Sequence, residues 1–303
     1  MSYPANVDFA VSTLGSIATS VTALAGGFSH ETWLVNCSDN SRVIVRLGGK
    51  NASVETAVLS LARSTVPVPQ VLSHGDGFVV LEFIEGQTLE EVLQCDADPH
   101  SLNKLAGKLG RVVASIGTLE FQRPGFFKSK DLLPGREEPW SEQITKFCEA
   151  QLASSSRFSA VDKRYWIDLC KENASVLQSA DSMGRLVHSD LNPKNIIIHR
   201  TDEDLEIAAI IDWEFAYSGC PFADAGNFCR FREDYPPGFL EAFVEGFESQ
   251  ASYLTEQWQL QARVLDMFAL CELATKPKGH PIGDKAEVVI RSWIAGGIPP
   301  LVT

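Results

Sequence analysis

Leu186-Val187-His188-Ser189-Asp190-Leu191-Asn192-Pro193-Lys194-Asn195-Ile196-Ile197-Ile198, followed after a polar spacer by Ala208-Ala209-Ile210-Ile211-Asp212-Trp213-Glu214, is the stretch on which the fold of this chain turns. The carboxylates Asp190 and Asp212 sit here with an amide, Asn195, five residues after the first. Each segment joins an apolar, β-rich run (residues 196–198 and 208–211) to polar residues at one end. That is how a chain aims polar side chains out of a rigid scaffold. Asx residues also favour plain turns, so a single Asp would decide nothing. The order of polar loop, strand and Asp-bearing strand is what carries information.

Phosphoryl transfer needs such a set. The transferred group carries spread negative charge, and hard oxygen ligands such as Asp and Asn hold the Mg2+ that neutralises it. A further group must orient the attacking hydroxyl and accept its proton. The kinase catalytic loop reads H-R-D-L-x-x-x-N. Here His188-Ser189-Asp190-Leu191 and then Asn195 keep every place except the Arg, and Asp212-Trp213-Glu214 takes the place of D-F-G. The stretch resembles the aminoglycoside phosphotransferase family, which also takes in choline-kinase-like and other small-molecule kinases. The resemblance is specific over this stretch and continues more weakly over most of the chain. It implies an α+β, protein-kinase-like, two-lobed fold. A small antiparallel-sheet, nucleotide-binding lobe would occupy residues 1–85, and a larger, mainly helical catalytic and substrate-binding lobe residues 86–303. It also implies Asp190 as catalytic base, Asn195 and Asp212 as metal ligands, and Mg2+ with ATP, or GTP in its place, as cofactors.

Composition bounds the remaining classes. At 303 residues and 45% hydrophobic, the chain has ordinary globular make-up. A formal charge of −13 argues against a nucleic-acid polymer as partner. It suits a cationic acceptor through long-range steering, or solubility alone. No run reaches the ~18 apolar residues of a membrane helix. The first Lys or Arg is Arg42, so no positive segment opens a signal peptide. The expectation is a cytoplasmic protein with no membrane partner, a monomer or weak dimer. The seven cysteines are scattered and form no C-x-x-C pair, so they indicate neither a zinc site nor a disulfide framework.

The rest of the chain supplies the surroundings. Residues 8–19 read as a short helix. Val21 to Leu24, a glycine turn over residues 25–30, and Glu31 to Val35 read as strand, turn, strand. By the resemblance this hairpin lies over the ATP phosphates, with Ser29 as a contact. Arg42 to Leu47 alternates as a strand, and Arg46 stands where kinases carry the phosphate-pairing Lys; a solvated edge Arg is the plainer alternative. Residues 51–63 read as a helix with Val54, Ala57, Val58, Leu61 and Ala62 on one stripe. Glu55 flanks that stripe, where it can reach Arg46. Residues 78–84 read as a buried strand ending in a hinge at Glu85-Gly86, and an adenine ring would meet the backbone near Glu82 and Ile84. Helices are expected over residues 101–118, 140–152, 161–177, 239–247, 255–275 and 284–295.

Several carboxylates are left. Glu214 reads equally as a metal or substrate contact and as a structural hydrogen-bond partner. Asp224 resembles the aspartate that ties the catalytic loop to the next helix, and His188 reads as a packed support. Asp234, Asp266 and Glu272 are candidate contacts for a positively charged acceptor. The expected activity is transfer of a γ-phosphate to a hydroxyl of an aminoglycoside-like antibiotic or related hydroxylated amine. The alternatives are a kinase of choline, an amino alcohol or a sugar, and a catalytically silent kinase-fold binding module. A protein kinase is disfavoured, because the interval from Asp212 to Asp224 has no room for an activation loop.

Overall fold

The computed structural model describes residues 4–24, 31–48, 52–95, 98–202 and 204–302. Alternation in the β-branched residues 31–47 sets the first sheet. Strands β1 (Ala18–Leu24), β2 (Glu31–Cys37), β3 (Arg42–Leu47), β4 (Val71–Gly75) and β5 (Phe78–Glu82) form one antiparallel sheet in the order β1-β2-β3-β5-β4. Side chains alternate between the two faces of a strand. Val35, Val43, Val45, Phe78 and Val80 therefore share one face and pack on Val7, Ala10 and Val11 of helix α1 (Ala5–Ser12). Val79 and Leu81 take the other face, with Val54, Val58, Leu59 and Ala62 of α2 (Ala52–Ala62), and this cluster runs on into the rest of the molecule. Arg46 pairs with Thr32 and Val79 in the sheet, so its side chain leaves on the α2 side.

The chain then crosses over through residues 83–86. Gly86 adopts φ +149°, and a Cβ there would stand 2.4 Å from the Ile198 carbonyl oxygen. Only glycine allows that approach. Beyond it come β6 (Gln87–Thr88), α3 (Leu89–Gln94), α4 (Pro99–Ile116), β7 (Gly125–Phe126), α5 (Trp140–Ser154), α6 (Ala160–Asn173), β8 (Arg185–Val187), β9 (Ile196–Arg200), β10 (Leu205–Ile210), β11 (Tyr217–Gly219), α7 (Phe222–Phe228), α8 (Phe239–Gln250), α9 (Trp258–Leu273) and α10 (Pro281–Gly296). Local chemistry starts several of these helices. Thr88 and Glu91 close a capping box on α3, Ser159 and Asp162 one on α6, and Asp98 accepts the Ser101 N–H ahead of Pro99 on α4.

Two small sheets carry the catalytic stretch: β10-β9-β6 and β7-β11-β8. Four of their strands, β6, β7, β8 and β11, are two or three residues long, too short to show a period in sequence. The expected helix over 8–19 is cut to Ala5–Ser12; Gly15 at φ +73° turns the chain into β1. The glycine turn with Ser29, and Asn51 at the head of α2, lie outside the described residues. Among the described residues no helix is long and apolar enough to cross a membrane. Six of the seven cysteines are buried as free thiols, and Cys95 is exposed.

Helices α4 and α8 cross at glycines. A Cβ on Gly110 would meet the Phe243 carbonyl oxygen at 2.0 Å, and one on Gly246 the Gly107 carbonyl oxygen at 2.1 Å. Both contacts are with backbone, which cannot swing aside. Gly110→Ala should therefore destabilise the fold by about 1–3 kcal/mol through overpacking. Thermal denaturation checks this, and an unchanged melting temperature would refute the close crossing.

Candidate active site

The loop over residues 188–195 leaves β8 at Val187 and is gripped at once. The carboxylate of Asp224, 1% exposed, accepts the N–H of His188 (2.9 Å) and the N–H of Ser189 (2.8 Å). Ser189 adopts φ +76°, a conformation costly for a residue with a Cβ. Asn227 steadies the same residue by donating from Nδ2 to its carbonyl at 2.9 Å. Burial pushes the Asp224 carboxyl up, against the opposing pull of the two backbone N–H groups. A folded-state pKa raised in this way favours folding at low pH and loses that contribution as pH rises through it. Asp224 thus holds the loop at a cost to stability.

His188 is fully buried. Its Nε2 lies 2.9 Å from the Ile211 carbonyl oxygen, which can only accept, so Nε2 carries the hydrogen. Nδ1 is then the acceptor of the Asp190 N–H at 3.2 Å. Both ring nitrogens are committed, and the Trp213 ring packs on the imidazole at 4.6 Å. The histidine supports the loop and has no proton to shuttle.

Asp190 is half-buried, with its carboxylate fixed on both oxygens. Oδ1 accepts from Asn192 Nδ2 at 3.1 Å and Oδ2 from Asn195 Nδ2 at 2.9 Å. Each oxygen keeps a second lone pair, so the group can still accept a proton from a hydroxyl. Asn195 is turned so that its amide nitrogen faces Asp190, which leaves Oδ1 as the oxygen it presents elsewhere. Asp212 enters from the neighbouring strand: Ile210 pairs with Ile196, and the Ile211 N–H donates to the Asn195 carbonyl at 2.9 Å. Asp212 itself has φ +68°.

Arg46 closes the arrangement from the first sheet. Its Nη1 is ion-paired with Glu55 Oε1, and its Nη2 donates to Asp212 Oδ1 at 2.9 Å. One guanidinium therefore joins β3, α2 and the end of β10. Burial pushes the Glu55 carboxyl from its ordinary 4.5 up to about 7 against the pull of Arg46, and the charges of Asp212 and Glu214 add to the rise. Glu214 belongs to this acidic neighbourhood. Asn195 and Asp212 offer hard oxygens, the donor chemistry Mg2+ takes alongside phosphate oxygens. The residues present fit that ion.

The other anticipated residues fall elsewhere. Ser29 lies outside the described residues. The Glu82 carboxylate turns back to accept the Gln70 N–H at 3.1 Å, and its own N–H is taken by the Gln70 carbonyl at 2.9 Å. That N–H is committed within the sheet and not offered to an adenine. Ile84 is half-buried in the crossover. Asp266 corrects an expectation: it is 3% exposed, and Arg230 grips both of its oxygens, at 2.9 and 3.1 Å from Nε and 2.6 Å from Nη2. It is an interior ion pair and not an open acceptor contact. Asp234 pairs with Lys285 at 2.5 Å, and Glu272 is exposed near the end of α9. Asn192 and Asn227 were missed. The Asn-Pro pair at 192–193 is a turn signal that marks the first; nothing in the sequence marks the second.

With this geometry in view, the chain belongs to the phosphotransferase enzyme family (APH), whose sequence pattern matches residues 20–262. Its fold is protein-kinase-like. The aminoglycoside phosphotransferase APH(4)-Ia superposes with a TM-score of 0.70 at 14% identity, over 97% of this chain and 99% of that one. The GDP and kanamycin complex of APH(2")-IIia gives 0.70 at 16% identity, over 96% and 98%. Macrolide 2'-phosphotransferase MphH from Brachybacterium faecium gives 0.64 at 15%, over 94% and 97%. At such identities the likeness speaks for the fold alone. Acyl-CoA dehydrogenase family member 10 of Mus musculus is 25% identical over 181 residues, which is 56% of this chain and 16% of that relative's length.

The raised Glu55 pKa has a measurable sign. Its contribution to stability is complete below pH 4.5 and is lost as pH rises through about 7. In nucleotide-free protein, the melting temperature of the native chain minus that of Glu55→Gln should fall between pH 4.5 and about 7 and then level. A flat difference would contradict the burial of this carboxyl.

Proposed function

We propose that the protein transfers the γ-phosphate of ATP, or of GTP, to a hydroxyl of a small molecule, with residues 1–85 serving the nucleotide and residues 86–303 the chemistry and the acceptor. The observation that carries the reading is Asp190 itself. Its carboxylate is held by two amides, keeps a lone pair on each oxygen, and belongs to the same constellation as Asn195 and Asp212.

In this reading Asp190 orients the acceptor hydroxyl and takes its proton as the oxygen attacks the γ-phosphorus. The new P–O bond forms as the bond to the leaving nucleoside diphosphate breaks in line. Asn195 Oδ1 and the Asp212 carboxylate would hold Mg2+, which supplies charge neutralisation on the phosphates when bound. Arg46, already paired with Glu55, steadies the α- and β-phosphates with the same planar fork that grips Asp212 in this structure. The protein's share of the work is positioning and charge compensation. The density of carboxylates around Asp190 and Asp212 is itself a reason for the cation, since a triphosphate would otherwise meet a field of its own sign.

The test is Asp190→Ala. Losing the base should cut turnover at least ~10²–10⁴-fold, the usual contribution of general base catalysis. Binding of nucleotide, followed by thermal shift with Mg-AMP-PNP, should survive. Equal ADP release from variant and native protein on a turned-over acceptor would remove the assignment.

A further inference from the structure

The small sheet from which the loop leaves is lined with aromatic rings. Val187, the last residue before His188, pairs with Tyr217 of β11, and Tyr217 pairs with Phe126 of β7. Directly paired residues project from the same face of a sheet. Strands are ~5 Å apart, so Phe126 stands roughly 10 Å across the sheet from the root of the catalytic loop. The rings continue from there. Phe126 meets Tyr217 at 5.4 Å and Trp140 at 6.1 Å, Trp140 meets Phe268 of α9 at 5.9 Å, and Phe268 meets Phe147 at 5.2 Å. Tyr217 and Trp140 are buried, yet Phe126 at the open end is 48% exposed.

That exposure is built in. The Phe126 carbonyl accepts the Gly135 N–H at 2.9 Å, and Arg123 holds the adjoining Pro134 carbonyl at 2.7 Å. Gly125, at φ +143°, lets the two segments touch: a Cβ there would lie 2.2 Å from the Gly135 carbonyl oxygen. A pinned strand presents half an aromatic ring to solvent, and Phe215, 51% exposed, follows closely on Asp212. Of the carboxylates expected to meet a cationic acceptor, Asp266 is meanwhile taken by Arg230 and Asp234 by Lys285, and Glu272 stays exposed.

We propose that the acceptor is a hydroxyl compound with an apolar, ring-bearing body, seated against Phe126 at the exposed end of the Phe126–Tyr217–Trp140–Phe268 wall, in preference to a polycationic aminosugar. The proposal rests on the phosphotransfer reading above. The wall is continuous through two strand pairings with the loop that carries the base, which commits its occupant to the group being phosphorylated. Apolar contact with the rings supplies affinity, and the hydroxyl reaches back to Asp190.

The experiment uses the full chain with Mg-ATP and three probes: 4-phenylbutan-1-ol, butan-1-ol and kanamycin. ADP release should show kcat/KM at least tenfold higher for the phenyl alcohol than for butanol, and higher for the phenyl alcohol than for kanamycin. Phe126→Ala should erase the phenyl-over-butyl preference through KM, and Phe126→Leu should restore part of it. The AMP-PNP thermal shift reports that both variants are folded. Saturation-transfer NMR with Mg-AMP-PNP should show the phenyl protons of 4-phenylbutan-1-ol against the native chain and lose them in Phe126→Ala. A higher kcat/KM for kanamycin than for the phenyl alcohol, a preference unmoved by Phe126→Ala, or neither turnover nor binding of the phenyl alcohol overturns the proposal. Failure of the underlying phosphotransfer reading looks different: the native chain would show no AMP-PNP shift, and Asp190→Ala would match it on every acceptor.

Discussion

Two backbone N–H groups ending on one buried carboxylate set the geometry of the whole site. Asp224 takes the hydrogen bonds of His188 and Ser189, and so holds Ser189 at a positive φ that its side chain alone would avoid. The direction in which Asp190 then leaves the loop follows from that one fixed turn. Charge-assisted bonds to a carboxylate are about twice as strong as neutral ones, which is what a strained loop requires. Burial raises the Asp224 pKa, so the anchor works against stability at neutral pH while it orders the loop. Two groups next to it are held in turn: the imidazole by Ile211 and Asp190, the Asp190 carboxylate by two amides.

The second constraint spans the crossover. Arg46 comes from the five-stranded sheet and reaches a helix on one side and the Asp212 segment on the other. Lysine would be a single point charge; the guanidinium is planar and can address two carboxylates with different nitrogens at once. The larger hydrophobic cluster also crosses residue 85, running from α2 through Val79 and Leu81 into α4, α5 and α9. Gly86 permits the near-contact of the crossover with β9. Packing and charge thus agree in holding the five-stranded sheet to the segment that carries Asp190 and Asp212.

Charge in the helical part of the molecule is disposed differently. The formal charge of −13 suggests an acidic molecule that would welcome cations, yet several of its carboxylates are locked in ion pairs, the Arg230–Asp266 pair deep in the interior. A buried pair of this kind defines a packing arrangement, and neither partner is free to meet a ligand. What the molecule leaves open beside the catalytic loop is the edge of an aromatic stack.

His188, Asp190, Asn195 and Asp212 were legible because they lie in one short stretch whose loop and strands are local. Arg46 and Glu55 were legible because strand and helix periods report which face a side chain occupies. Gly86 was readable as a break, though not as a contact with Ile198. Asn227, the fate of Asp266 and the stacking of Phe126 on Tyr217 were not legible, since each joins segments far apart in the chain and leaves no periodic trace. The sequence by itself determined the class of fold, the order of its parts and the set of oxygen-bearing groups at its centre. Only the tertiary structure decided which charges cancel and which rings stay exposed, because cancellation and exposure depend on what folding places opposite each side chain, and that is settled by long-range packing.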